Sequence, residues 1–392
     1  MTDVFVAADN ILSPLGSTTR ENFGAVKAGI TGVRRHYRPE IAEQEFYASL
    51  MEPDAGYSAD GGRSAGGGRS GDGGHRLSGE HRYTKFEQLL IASIADALQA
   101  SGIQAKDKRT MLIVCSTKGN IHMLDDGPQI TRDQLSLPGS AAALARHFGF
   151  VHTPLVISNA CISGLLGLIT GMRLIRAGVY ENVVVAGADV ITKFILSGFN
   201  SFQALSPGYC RPFDRDRDGI NLGEGAATVA LSSRPQYKQG IRVRGGAVSN
   251  DANHISGPSR TGKELSQAID AALRDAGSSA AGIGFISAHG TATPYNDEME
   301  AKAITLAGLQ HVPVNSLKGY YGHTLGAAGL IETIITLQSM REGVVIPSRG
   351  FENNGVTTPL NVCSSLLYTP LNTCLKTASG FGGCNAAIVL GK

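Results

Sequence analysis

Apolar residues recur at two spacings along this chain, and the alternation between them sets the expected architecture. In residues 83–102, Phe86, Leu89, Leu90, Ile94 and Leu98 recur at helical spacing and Gly102 follows, the pattern of an amphipathic helix with a glycine stop. Short β-rich runs at 111–116, 155–158 and 183–186 predict buried strands, with a small-residue helix at 161–177 before the last of them. After about residue 240 the pattern begins again: a helix at 263–276, strands at 283–287 and 312–316, and a helix at 323–341. Strands alternating with helices imply a mostly parallel sheet with helices packed on it.

The two stretches also repeat each other. Residues 94–102 (IADALQASG) parallel 269–277 (IDAALRDAG), and 164–178 (GLLGLITGMRLIRAG) parallel 329–343 (GLIETIITLQSMREG). Two matches in the same order predict a twofold-repeated α/β chain, with one half at 1–240 and the other at 241–392. The length of 392 residues agrees, since it exceeds one ordinary core. One segment stands apart. Residues 56–79 hold ten glycines and almost no apolar side chains. Such a tract cannot bury enough surface to offset its ordering entropy, so a surface loop within the first half is expected.

Composition narrows the function classes. A hydrophobic content of 42% excludes a generally disordered chain. A net charge of +2 gives no reason to expect nucleic acid, and the absence of Trp argues against a base-stacking platform. The longest uncharged stretch, near 155–172, carries Ser158, Asn159 and Ser163 and reads as a buried strand and helix rather than a membrane span. The six cysteines form no C-x-x-C pair, so neither a disulfide framework nor a zinc site is expected. With no secretory-type N-terminus, the expected location is the cytosol.

Four segments carry candidate chemistry. SNACISG (158–164) puts Cys161 at a helix N-terminus, where unpaired amides and the helix dipole stabilise thiolate and an adjacent oxyanion. By itself a lone cysteine in an apolar run is usually inert. SAHGTATP (287–294) puts His289 at the carboxyl end of a strand, where open α/β sheets place their sites, with the Thr291 and Thr293 hydroxyls beside it. A histidine there also serves as a turn cap. NSLKGYYGHTLGAAGLIE (315–332) combines Lys318, His323 and Glu332. A buried lysine needs an acidic partner, and Glu332 is the candidate. SGFGGCN (379–385) flanks Phe381 with glycines, so the loop can offer a backbone N–H and the ring can swing as a gate. Metal binding is disfavoured, because Cys161, His289 and His323 include no closely spaced ligand pair. The glycine-rich tract lacks the end of a P-loop, and PFDRDRDG (212–219) lacks the closing Glu of a calcium loop.

NACISG, PFDRDRDGINLGEGAA, DANHISGPSRTG, HGTATP, NSLKGYYGHTLGAAG and GFGGCNAA, in this order, resemble the elongating β-ketoacyl-(acyl carrier protein) synthases of the thiolase fold. The likeness runs from about Tyr83 to the C-terminus, with a weaker start in ADNILSPLGS. It implies a thiolase-like five-layer αβαβα sandwich of two pseudo-repeated halves. It implies a decarboxylating condensation that extends an acyl chain by two carbons. Cys161 would carry the acyl thioester. His289 and His323 would stabilise the enolate, and the N–H groups of Cys161 and Phe381 would meet the oxyanion. Lys318 and Glu332 would hold the electrostatics, and Thr291 and Thr293 would bond the pantetheine arm. No metal or bound cofactor is implied, because the substrates ride on the phosphopantetheine of an acyl carrier protein. A homodimer, or a heterodimer with a related subunit, is expected.

The chain departs from the family at several positions. Ser379 stands where an aromatic residue is usual, Cys384 where Thr is usual, and Lys118 and Asn120 where small residues are preferred. The departures within 111–127, Lys118 and Asn120 among them, favour, as a variant, a synthase making a polyene or polyketide-like product. Arg63, Arg69, Arg76, Arg82 and Lys85 could meet an acidic carrier. Two rivals are a non-catalytic subunit that measures chain length, which would lack the nucleophile, and a thiolase using Cys384 as its acid–base thiol.

Overall fold

The computed structural model describes residues 2–52, 83–125, 131–253 and 256–392. The glycine-rich tract 56–79 and Arg82 lie outside the described residues.

Ten strands form the main sheet: β1 (Phe5–Leu12), β2 (Thr110–Cys115), β3 (Leu155–Ile157), β4 (Asn182–Asp189), β5 (Gly225–Ser232), β6 (Arg242–Asn250), β7 (Phe285–Ser287), β8 (Val314–Asn315), β9 (Thr373–Gly380) and β10 (Cys384–Gly391). Their order is β8-β7-β9-β10-β6 followed by β1-β5-β4-β2-β3. Each set of five has the same topology. The third strand of the set (β4 or β9) runs parallel to the second (β2 or β7), which is also parallel to the edge strand (β3 or β8). The remaining two pairings are antiparallel. The sets meet at the single register pair Phe5–Arg242.

Six helices matter for the site: α1 (Lys85–Ser101), α2 (Ser163–Arg176), α3 (Lys193–Ser201), α4 (Lys263–Asp275), α5 (Pro294–Leu306) and α6 (Ala328–Glu342). Helix α1 packs outside the first five strands, against β1, β4 and β5, and α4 packs outside the other five, against β6 and β10. Helices α2 and α6 lie between, each touching strands of both sets. The layers therefore run αβαβα. The largest apolar cluster, which includes Leu165, Leu168, Ile169, Leu330, Ile331 and Ile334, fills this middle layer. That burial explains why α2 and α6 are apolar nearly all round.

The repeated helices occupy equivalent places. At Gly164 a Cβ would come within 2.8 Å of Gly326 O and 3.0 Å of Leu330, and at Gly329 a Cβ would come within 2.7 Å of Leu165 N. The first residues of the two matching segments are thus where the central helices approach most closely.

Element boundaries differ from expectation where the backbone has another partner. Helix α1 begins at Lys85 because Thr84 and Glu87 form a capping box. Helix α2 begins two residues after Cys161. A 3₁₀ turn over Leu325–Ala327 leads directly into α6 at Ala328, so His323 lies two residues before the helical segment and not within it. Its N–H donates to Asn221 O (2.7 Å) and its carbonyl accepts from Gly223 N–H (3.0 Å), an extended pairing that a helix would break. Lys85, read as a candidate contact for an acidic partner, instead places Nζ 2.8 Å from the buried carboxylate of Glu224.

Candidate active site

Cys161 follows Ala160, which is forced into the left-handed region (φ +44°), and the turn is closed by Ser163. The Ser163 hydroxyl donates to Ala160 O (2.6 Å) and accepts from Asn159 N–H (2.8 Å). No side chain caps the start of α2, and its first amide, Ser163 N–H, donates to Ala160 O (3.3 Å). His289 lies two residues past β7. Glu300 on α5 fixes this turn by accepting from the N–H groups of His289 (2.8 Å) and Gly290 (2.7 Å). His323 is held by its pairing with the 221–223 segment. Asp189, at the end of β4, accepts from Gly326 N–H (2.7 Å) and from the Ser116 hydroxyl (2.7 Å), which ties the stretch after His323 to the first half.

These three turns bring the nucleophile candidate and both histidines together. The Cys161 sulfur and one nitrogen from each imidazole all lie within 4.8 Å of one another. The two rings are 5.1 Å apart and nearly perpendicular. Both nitrogens of His323, and Nδ1 of His289, are buried without a hydrogen-bond partner. Metal-bound histidines usually give their second ring nitrogen a fixed protein partner. Here the open nitrogens suit a substrate oxygen better.

The electrostatics correct one expectation. Burial pushes the Cys161 thiol up to about 12, and nearby Cys384 adds to the shift. Lys318 and a hydrogen bond from the Phe381 backbone pull the other way. The resting group is therefore a neutral thiol, because desolvation outweighs the helix terminus. Burial also holds His289 and His323 well below the usual histidine range, with Lys318 and Lys376 adding to the effect. A neutral thiol thus faces two neutral imidazoles.

Lys318 and Glu332 sit behind the histidines. Lys318 donates to His289 O (3.0 Å) and to Glu332, so the acidic partner expected for this buried lysine is the one found. Glu332 has a second partner, because Lys376 Nζ lies 2.7 Å from its other oxygen. Lys376 and Asp189 were not singled out from the sequence. The available signal was a charged residue inside an apolar strand: Lys376 in TCLKTASG, and Asp189 ending VVVAGAD.

A cavity of about 390 Å³ opens from Cys161 to the surface, within the usual range for a ligand pocket. Cys161, His289, His323, Thr291, Thr293 and Phe381 all line it, whereas Lys318 and Glu332 do not. The Thr291 and Thr293 hydroxyls are 2.8 Å apart. Phe381, in the β9–β10 turn, stacks on Phe199 of α3 (5.6 Å) and meets Phe202 edge-on (5.3 Å). Ser379 lines the cavity and donates to Asn385 (2.7 Å). Cys384 does not line it, and its thiol is directed to the carbonyls of Phe381 and Asn159. Asn120 is buried away from the cavity, where it bonds Gln134 O (2.9 Å) and the Thr84 hydroxyl (2.8 Å).

Two family descriptions match the chain: "Beta-ketoacyl synthase, N-terminal domain" over residues 1–236 and "Beta-ketoacyl synthase, C-terminal domain" over residues 241–352. Among curated proteins, a 3-oxoacyl-(acyl-carrier-protein) synthase 2 of Vibrio cholerae is 29% identical, with 98% of each chain covered. The ketoacyl synthase alpha subunit of the tetracenomycin polyketide synthase of Streptomyces glaucescens is 34% identical over 60% of this chain and 59% of its own. Among solved structures, the ishigamide ketosynthase/chain length factor superposes with a TM-score of 0.86 at 25% identity, covering 100% of this chain and 99% of that one.

Proposed function

We propose that this chain, which belongs to the β-ketoacyl synthase family, joins acyl groups by decarboxylative Claisen condensation on carrier-bound thioesters. The observation that carries this reading is the convergence of Cys161, His289 and His323 within 4.8 Å at the foot of one cavity.

The geometry supports the following roles. The Cys161 thiol, neutral at rest, gives its proton to an adjacent neutral imidazole as sulfur attacks the incoming thioester carbonyl. The pantetheine thiolate leaves and takes up the proton. The acyl oxygen lies against the N–H groups of Cys161 and Phe381. A malonyl thioester then enters, and its carbonyl accepts hydrogen bonds from His289 and His323. Its carbon–carboxylate bond breaks, carbon dioxide leaves, and the two histidines stabilise the enolate oxygen. The enolate carbon attacks the acyl-Cys161 carbonyl, the carbon–sulfur bond breaks, and the sulfur departs as thiolate and takes up a proton from solvent, restoring the neutral thiol. Thr291 and Thr293 bond the pantetheine arm, and Phe381 gates the acyl side of the cavity.

The substrates arrive on the phosphopantetheine of an acyl carrier protein, and this reaction needs no metal or further cofactor. A dimer fits the exposed edge strand β3, where Leu155 is 39% exposed. A related subunit is one candidate partner, since similar structures pair a ketosynthase with a chain length factor. No helix among the described residues is long and apolar enough to cross a membrane, and the proposed location is the cytoplasm. Cys384 is turned away from the cavity, which weighs against the thiolase reading. The retained Cys161 weighs against a non-catalytic subunit.

The test separates the two chemical tasks. Cys161→Ala should form no acyl-enzyme by intact-protein mass, yet should still release labelled carbon dioxide from a malonyl-carrier. His323→Ala should lose about 10²–10³ in that release, the usual cost of one preorganised donor. It should also acylate slowly, because the neutral thiol has lost a nearby base. Release of no carbon dioxide by the wild-type chain or any variant would refute the condensing reading.

A further inference from the structure

Two buried lysines, Lys318 and Lys376, and the carboxylates of Glu332 and Glu300 are sealed behind the histidine pair, and the condensation steps above use neither lysine. Lys376 is completely buried in the middle of β9. Four oxygens surround its Nζ: the carbonyls of Ser287 (3.2 Å), Ala288 (3.1 Å) and Thr377 (2.6 Å), which accept its hydrogen bonds, and the ion-paired Glu332 Oε2 (2.7 Å). A neutral amine has only two N–H donors, so this cage calls for the charged form with its three. Three of the four oxygens belong to residues adjoining the two supports of the site. Ser287 and Ala288 lead directly into His289, and Glu332 is the residue that also pairs Lys318.

The charges can be counted. Glu332 is shared by Lys318 and Lys376. Glu300, on the other side of the His289 turn, accepts from His289 N–H, Gly290 N–H and the Thr377 hydroxyl (2.7 Å). Around His289 and its supports, Lys318 and Lys376 therefore face Glu332 and Glu300, with Asp297 beside Glu300 as a further buried acid. Without Lys376 the same enclosure would lose one of its two buried cations beside two buried imidazoles, and a carboxylate excess there draws a proton onto an imidazole.

We propose that Lys376 is a positioning residue of this centre: its buried ammonium offsets the second carboxylate and keeps His289 and His323 in their neutral, substrate-ready form. The further charged or titratable groups around the pair are each other, Cys161, Lys318, Glu300 and Glu332, with Asp297 beside Glu300 and Asp189 beside Cys161. Of these, only Lys318 supplies another buried cation, and its Nζ already serves Glu332 and His289 O. The direction agrees with the electrostatics of the pair: burial first, then Lys318, and also Lys376, hold both imidazoles below the usual histidine range. The catalytic meaning of that neutrality rests on the condensing reading, but the charge balance does not.

The test reads the histidines directly. In the full-length protein labelled with 15N-histidine, His289 and His323 are assigned by single His→Asn variants and titrated by NMR. In wild type both should stay neutral well below pH 6.5. In Lys376→Met both should titrate at least about one pH unit higher, the scale expected for losing one buried neighbouring charge. Lys376→Arg, which keeps the charge, should return them towards wild type. If Lys376→Met does not fold, Lys376→Gln, which keeps a donor without the charge, goes through the same titration. The acid limb of Cys161 acylation should move up in pH with the histidines. A neutral variant whose histidines titrate as in wild type, whatever its loss of stability or rate, would reduce Lys376 to a strut and overturn the proposal. Shifted histidines in a chain that never condenses would sustain the role of Lys376 and sink the condensing reading instead.

Discussion

At the scale of single residues, the site is governed by desolvation more than by formal charge. Cys161 has a helix start beneath it, yet burial keeps the sulfur protonated at rest. The two imidazoles pay for the same enclosure by resisting protonation, and this has a consequence for stability. Their folded values lie below the ordinary histidine value of about 6.5, so the unfolded chain binds protons first as the pH falls. Their contribution is fully present above about pH 6.5 and is lost as the pH drops towards their folded values. Asp297, pushed up to about 6 by burial, works in the opposite sense: stability is lost as the pH rises from the ordinary carboxyl range through about 6. We therefore expect the thermal midpoint of wild type to fall between pH 6.5 and 5 more steeply than that of a His289→Asn/His323→Asn variant. Parallel profiles from scanning calorimetry would show that the histidines are not buried neutral.

At the scale of elements, catalytic geometry depends on how closely α2 and α6 approach. Cys161 leads into α2, and His323 precedes α6 by five residues. The distance between nucleophile and histidine is thus set largely by the contact at Gly164 and Gly329. A Cβ at Gly329 would meet the backbone of Leu165, which cannot rotate away. Gly329→Ala should cost about 1–3 kcal/mol, the usual penalty for overpacking, and should lower condensation even under conditions where the protein is fully folded. Gly198→Ala on α3 is the control, since its added Cβ would meet nothing within 4 Å. Urea midpoints and initial rates for both variants decide the point, and equal behaviour would show that the helix contact is loose. The β9–β10 turn has a similar constraint. Gly383 has φ +76°, and a Cβ there would fall 1.9 Å from Asp251 O, so the turn carrying Phe381 keeps its path by having no side chain at that position.

At the scale of the whole molecule, two sets of five strands enclose the central helices, and the tract 56–79 has almost no apolar residues with which to join any core. Replacing it with a short Gly-Ser link should leave the melting temperature within a few degrees, because long surface insertions cost little closure entropy. A large drop would show that the tract packs. Weaker carrier binding with an unchanged melting temperature would instead assign its arginines to docking. The same scale explains what was legible beforehand. The repeated helices were visible because their small and apolar residues recur at matching positions. The equal strand orders of the two sets were not, because sequence neighbours such as β2 and β3 pair directly whereas β1 pairs with β5 across more than two hundred residues.

The local sequence determined the alternation of strand and helix, the duplication, and the residue types at the site. It did so because periodicity, glycine stops and short motifs are properties of neighbouring positions. It also paired Lys318 with Glu332, since a buried lysine demands an acid and one stood nearby. Only the tertiary structure decided that Cys161 is a thiol at rest, because desolvation depends on what the rest of the chain places around it. Only the tertiary structure moved His323 out of the helix, through backbone bonds to residues a hundred positions earlier. And only the fold placed Lys376 against Glu332 and the His289 turn, because a lysine in an apolar strand names no partner until the neighbouring strand and helix are laid beside it.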